Sequence, residues 1–256
     1  MTGYLGTAAR MVPVAAASAQ SEARPDRFVV QQAAARRWAF DTARRGGVQG
    51  REWAVDLGLL NAVEMSAMDE FVQGAWGPGP FRWVSCAAHD SNVLTPGQSI
   101  LASLDAGSGM DTVSGWSPRS VLGPSPVKLA ERVPVIPGKP VTVAVETTGA
   151  ATLTVVFRNA AGGVVSTLVA EASGTVAQRL TASAVSVVQT ARTVDLEVSG
   201  HVRAARPQVS WTREVRPWVP GRGAEAVVIQ SGVADPVVIN PAGGYWSGSL
   251  SLIEVG

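Results

Sequence analysis

Apolar residues recur at every second position through most of this chain. "REWAVDLG" (51–58) puts Trp53, Val55 and Leu57 on one face. "RRWAFDT" (36–42) does the same with Trp38 and Phe40, and "FRWVS" (81–85) with Phe81 and Trp83. "RFVVQQ" (27–32) is a further short strand segment. A period of two is the mark of a half-buried strand. Past residue 126 the alternation is almost unbroken, over 127–136, 140–147, 151–159, 164–172, 175–183, 192–200, 202–212 and 225–230. Turn signals such as "IPGKP", "NAAGG", "ASG" and "VPGRG" separate these runs. Strands spaced about 8–12 residues apart with turns between them predict a β-sandwich or jelly roll. The tail "PVVIN…GGYWSGSLSLIEVG" adds two more strands.

One segment breaks the period. "NAVEMSAMDEFVQG" places Val63, Met65, Met68, Phe71 and Val72 at helical spacing. Asn61 is a good N-cap, Glu64 completes a capping box, and Gly74 can end the helix, which predicts a helix over about 61–73. The expected core of the first domain is Trp38, Phe40, Trp53, Phe71 and Phe81 or Trp83. Residues 97–126 are turn-rich with Trp116 as an anchor, and residues 1–26 are Ala-, Ser- and Gly-rich without a strong period. The chain therefore divides into an arm (1–26), a β-domain with one helix (27–95), a β-sandwich (96–230) and C-terminal strands (231–256) that can return to the first domain. The stretch "GPGPFRWVSCAAHDSNVLTP" (77–96) reads as the junction. "VPVIPGKPVTVAV" and "RPWVPGRGAEAVV" share P-x-x-P-G-[KR], which two type II turns explain without a duplication.

Composition narrows the function. The chain has 256 residues, enough to bury a core without disulfide or metal. Its net charge of +1 lacks the basic bias of a dedicated nucleic-acid binder. The single Cys86 excludes an internal disulfide. "ARMVPVAAASAQS" imitates a signal peptide, but its apolar run is short, broken by Pro13 and preceded only by Arg10. No run approaches the ~20 apolar residues of a membrane span, so membrane insertion is not expected.

Candidate chemistry is sparse. Cys86 and His89 stand three apart with Asp90 adjacent, but catalytic Cys–His pairs usually join distant parts of a chain. One Cys and two His do not make a structural zinc set. His201 sits at a strand start without an acidic cluster nearby. Asp195 and Glu197 in "TVDLEV" share a strand face, as glycoside hydrolysis would need and as a solvated face would also show. There is no phosphate-binding Gly motif and no G-x-S-x-G elbow. No catalytic, metal or cofactor site is expected. Among eight tryptophans, Trp116, Trp211, Trp218 and Trp246 lie in or beside turns; Trp116, Trp211 and Trp218 are the candidates for stacking on a sugar ring or forming an interface.

The order "REWAVDLGLL", "NAVEMSAMDEFVQG", "GPGPFRWV", "NVLTP", with the opening "MTGYLGTAARMVPV", resembles the start of minor tail proteins of long-tailed phages that infect actinobacteria. "ERVPVIPGKPVTVAV", "TLTVVFRNAAGGVV" and "ARPQVSWTREVRPWVPGRGAEAVVI" resemble the carbohydrate-binding-module-like, galactose-binding-like sandwich of such proteins. The resemblance implies a non-enzymatic distal tail protein in the virion, assembled in the host cytoplasm. It implies a tail-tube-like β-domain forming a hexameric ring between the tail tube protein and the tail-tip hub, with the tape measure protein as a neighbour and genomic DNA passing through. Two alternatives stand beside it. One is a module binding a host cell-wall glycan. The other is an accessory domain of a secreted hydrolase using Asp195 or Glu197.

Overall fold

The computed structural model describes residues 2–23, 28–33, 36–41, 51–102, 104, 110–111, 119–240 and 243–255. The chain is mainly β, with 51% strand. It forms two compact units. One comprises Met1–Thr7, Val12–Cys86 and Ala224–Gly256; the other comprises Ala8–Met11 and Ala87–Gly223.

The first unit is a closed barrel. Its strands run in the order β1 (Thr2–Gly6), β2 (Met11–Ala23), β5 (Arg51–Leu60), β17 (Gly243–Glu254), β16 (Ala224–Asn240) and β6 (Phe81–Val84), and β6 returns to β1. Closure leaves no edge strand in the ring itself. Strands β3 (Phe28–Ala33) and β4 (Arg36–Asp41) pair as a separate hairpin. The alternation in "REWAVDLG" works as expected: Trp53, Val55 and Leu57 are buried while Ala54 and Asp56 are exposed. They share one cluster with Leu5, Phe81, Trp83, Val227, Leu250 and Leu252.

Helix α1 (Ala62–Val72) adds Met68 and Phe71 to this cluster. Phe71 meets Phe81 edge-on at 5.1 Å and stacks on Trp76 at 4.5 Å. The capping box forms in full: Asn61 Oδ1 accepts from the Val63 and Glu64 N–H groups, and Glu64 Oε2 accepts from the Asn61 N–H at 2.9 Å. Such a cap is worth about 1 kcal/mol. Val63, expected on the apolar stripe, is 79% exposed. At 100° per residue it lies roughly 140° around the helix from Met68, outside the buried arc. The side chains of Trp38, Phe40 and Trp246, and the loop 43–50, lie outside the described residues.

A charge pair completes the seam between β5 and β17. Arg51 donates from Nε and Nη2 to the two Glu254 oxygens at 2.9 and 3.1 Å, and its guanidinium lies 4.7 Å from the Trp53 ring centre. Glu254 is completely buried.

The second unit is a jelly roll. Its strands are β8 (Ser120–Leu122), β9 (Val127–Pro134), β10 (Val141–Thr148), β11 (Ala151–Arg158), β12 (Val164–Ala172), β13 (Gln178–Ala184), β14 (Thr193–Ser199) and β15 (Arg203–Ser210). They pair in a nested order, β11 with β12, β10 with β13, β9 with β14 and β8 with β15, all antiparallel. That is one long hairpin, folded again so that β10 also pairs with β15 and β11 with β14. Two sheets result, β13-β10-β15-β8 extended by β7 (Met110–Asp111), and β12-β11-β14-β9. Nested pairing split over two sheets is the jelly-roll arrangement. Val141, Val143 and Val145 of one sheet and Leu153, Val155, Phe157, Val194, Leu196 and Val198 of the other are all buried. Each such side chain contributes about 1.5–3 kcal/mol.

The structure divides the chain differently from the sequence reading. Residues 1–26, expected as an arm, carry β1 and β2 of the barrel. The unit boundary falls at Cys86/Ala87 rather than near residue 95; the C-terminal strands do return to the first unit, starting at Ala224 rather than at 231. The jelly roll is thus inserted between β6 and β16, two strands that pair with each other. "CAAHDS", part of the stretch read as the junction, is α2 (Cys86–Ser91). "PGQS" is a helical turn, α3 (Pro96–Ser99), capped by Thr95 and Gln98. The two P-G motifs also separate. Pro137-Gly138 makes the expected turn, with Gly138 at φ 78° and the Lys139 N–H donating to the Ile136 carbonyl. The second motif is a close crossing. Gly223 donates to the Leu94 carbonyl, and a Cβ there would stand 1.9 Å from the Val93 oxygen.

Candidate functional site

On β10, Thr142, Ala144 and Glu146 point away from the sandwich core. Thr142 and Ala144 are nevertheless buried: Thr142 donates to the Thr212 carbonyl, and Gln208, the cross-strand partner of Ala144, reaches the Ser91 and Pro217 carbonyls. Asn92 is the clamp. Its side chain accepts from the Leu94 and Val209 N–H groups and donates to the Val219 carbonyl at 2.9 Å. Trp211 donates to the Pro134 carbonyl at 3.2 Å, and the His89 ring stacks on it at 5.9 Å with planes 7° apart. Trp211 is only 6% exposed. It is a buried anchor rather than an open sugar platform, because so little of it reaches solvent. Trp116 lies outside the described residues.

Trp218 is different. It is half-buried, and its indole N–H donates to the Pro207 carbonyl at 3.3 Å. The Arg206 guanidinium lies 5.5 Å from its ring centre. Arg206 reaches this place through a bulge. The β10–β15 register slips between Ala144↔Gln208 and Glu146↔Ala205, and Arg206 adopts φ 53°. Left-handed backbone at a residue with a Cβ costs roughly 1–2 kcal/mol, and bulges of this kind re-aim side chains.

Three strands converge here. Glu146 of β10 accepts from Arg206 of β15 at 3.2 Å and from Arg179 of β13 at 3.3 Å. Arg179 also donates to the Gln208 side chain and to the Arg216 carbonyl. Gln208 in turn donates to the Ser91 and Pro217 carbonyls. Burial pushes Arg179 below its ordinary pKa; Glu146 opposes this and Arg206 adds to it. The cluster therefore holds two cations on one carboxylate, beside an aromatic plane.

The other candidates have structural partners. Asp195 accepts from the Arg132 N–H at 2.8 Å and from Arg158 Nε. Two residues, Glu131 and Arg132, face it across a slip in the β9–β14 register, and Arg132 sits at φ 52°. Asp195 thus pins a strained bulge. Glu197 pairs in register with Lys128 on β9. His89 Nδ1 lies 2.8 Å from Asp90 Oδ1, with its ring against Trp211. His201 is buried, and among the described residues neither ring nitrogen meets a hydrogen-bond partner. Among the described residues, no group of three or more His, Cys, Asp or Glu is placed to hold a metal. No helix among them is long and apolar enough to cross a membrane.

Sequence reasoning reached Trp218 through its turn context but missed Glu146, Arg179, Arg206, Gln208 and Asn92. The signal within reach was the density of arginine from Arg203 to Arg222, five residues of one sign against Glu214. The architecture defines a mainly-β protein in which a jelly roll interrupts a closed barrel. No protein-family model, curated protein or solved structure matches the chain.

Proposed function

We propose that this chain is a non-enzymatic structural component of the distal tail of a long-tailed phage. In this reading the barrel unit assembles into a ring joining the tail tube to the tail tip, and the jelly roll is the module the ring displays. The reading starts from the sequence resemblance. The observation that carries it further is the insertion: both ends of the jelly roll lead into β6 and β16, adjacent strands of one closed barrel. Domain insertion between paired strands keeps the host domain intact while presenting the guest. The near-neutral charge of +1 suits a ring that lets DNA pass without gripping it. Asp195, the carboxylate a hydrolase would need, supports a structural role because it is committed to Arg132 and Arg158.

Light scattering and negative-stain imaging of the full chain test this. Six-fold rings, with the mass of six 26.5 kDa subunits, are expected. Monomers at every concentration up to the solubility limit, with or without a tail tube protein, would overturn it.

A further inference from the structure

We infer that a cavity at one end of the jelly-roll unit binds an alkyl carboxylate of a peptide, with Arg192 gripping the carboxylate and Arg10 as a second cation. The carboxylate comes from a glutamate side chain or from a peptide C-terminus. The inference does not depend on the ring: it is read from ligand binding, whereas the tail assignment is read from subunit number.

Four observations lead there. First, there is a place for the group. Arg10, Met11, Val135, Ile136, Pro137 and Arg192 line a cavity of about 170 Å³. All of them belong to the jelly-roll unit, with which residues 8–11 are grouped. At about 30 Å³ for a water-sized group, this is room for roughly six heavy atoms, a carboxylate and a short aliphatic stem. None of these residues is aromatic, so stacking on a sugar ring plays no part. Second, backbone hydrogen bonds hold the site in shape. The loop between β9 and β10 (135–140) meets the loop between β13 and β14 (185–192). The Gly138 N–H donates to the Val187 carbonyl and the Val187 N–H to the Lys139 carbonyl, both at 2.9 Å. The Val135 N–H donates to the Arg192 carbonyl at 3.0 Å. A site formed in advance loses less affinity to ordering.

Third, the head group of Arg192 is anchored with one edge left over. Its Nη1 donates to the Gln189 and Ala191 carbonyls at 2.7 and 2.8 Å. Among the described residues its Nε and Nη2 donate to no acceptor. In Arg51 the same Nε–Nη2 edge takes the two Glu254 oxygens at 2.9 and 3.1 Å. That planar fork matches a carboxylate in two parallel hydrogen bonds. Fourth, the surroundings are one-sided. Residues 8–11, 135–140 and 185–192 contain Arg10, Lys139 and Arg192 and no Asp or Glu. Met11, Ile136 and Pro137 are half-buried, and Val185 and Val188 are exposed. Cations beside an aliphatic surface suit a carboxylate on an apolar stem; a bare inorganic anion would leave that surface uncovered.

Fluorescence anisotropy of labelled short peptides with the full-length protein tests this. One peptide carries a glutamate between valines with its C-terminus amidated. A second has no acidic side chain and a free C-terminal valine. A third replaces the glutamate of the first by glutamine. At least one carboxylate peptide should bind with a dissociation constant below about 1 mM, weakened by salt, and the glutamine peptide should not. Which one binds separates a side-chain carboxylate from a C-terminal one. Arg192→Lys keeps the charge and loses the fork, so binding should fall by about tenfold. Arg10→Gln, at an exposed position, should weaken it by about threefold and decides the matter should Arg192→Lys fail to fold in a thermal scan. Arg213→Gln, an exposed residue outside the cavity, should bind as the parent does. Equal binding of the glutamine peptide, no binding of either carboxylate peptide at about 1 mM, displacement by equimolar inorganic phosphate, or full binding by a folded Arg192 or Arg10 variant would each overturn the inference.

Discussion

Asp195→Ala separates a structural carboxylate from a catalytic one. The Asp195 side chain is 9% exposed and accepts two hydrogen bonds, from the Arg132 N–H and from the Arg158 guanidinium. Bonds to a charged group contribute about 1.5–3 kcal/mol each. Arg158 is partly exposed, so water recovers a share of its bond on truncation. The Arg132 N–H belongs to a residue at φ 52°, so removing its acceptor also releases a strained bulge between β9 and β14. Together these give a loss of about 3 kcal/mol. Asp195→Asn keeps an oxygen for Arg132 and loses only the charge, so about 1–2 kcal/mol is expected. Arg132→Gly removes the strain while keeping the N–H, and should stabilise by about 1 kcal/mol. Urea unfolding of the jelly-roll transition measures all three. An Asp195→Ala loss below about 1 kcal/mol, or an Asn variant as damaging as Ala, would refute the bulge-pinning role.

Other substitutions probe the rest of the fold. Arg51→Ala takes the guanidinium away from the buried Glu254 carboxylate and should destabilise the barrel by about 2–4 kcal/mol, with much of the loss recovered in Arg51→Ala/Glu254→Leu; equal instability of the single and double variants would count against the pair. Gly223→Ala drives a Cβ into the Val93 carbonyl and should cost about 3 kcal/mol. Gly97→Ala, whose nearest neighbour is 3.9 Å away, should be tolerated, with both read by thermal unfolding. Burial lowers the pKa of His201. The unfolded chain therefore takes up a proton that the folded one resists, and stability falls as pH drops below about 6.5 toward the lower folded value. The slope is at most about 1.4 kcal/mol per pH unit, and His201→Phe should remove this residue's share of it.

Much of the local structure is legible in the residues. A period of two needs only neighbours in the chain, so the faces of β5, β10 and β11 follow from Trp53, Val143 and Leu153 and their spacing. The α1 cap is equally local, since Asn61 and Glu64 are three apart and satisfy each other. Thr95 and Gln98 carry the same signal before α3, so that turn was within reach as well.

Partners are another matter. Alternation says which side of a strand is buried and nothing about which strand lies beside it. The nested order of the jelly roll, and the capture of β1, β2, β16 and β17 into one barrel, come from burying several half-apolar surfaces at once. Residues 1–26 look unstructured alone because their small side chains offer little to bury until β5 and β6 supply the other half.

The same distinction governs the site. Trp211 and Trp218 stand in one turn-rich segment, and only the packing of residues 87–99 against β15 buries the first under His89 while leaving the second half open. Arg206 carries no mark of its left-handed backbone, because glycine or asparagine is the usual signal there and an arginine stands instead. Its strain and its pairing with Glu146 and Arg179 exist only once β13, β10 and β15 lie side by side. Long-range register, which no short window contains, brings these charges within 3.3 Å of one another.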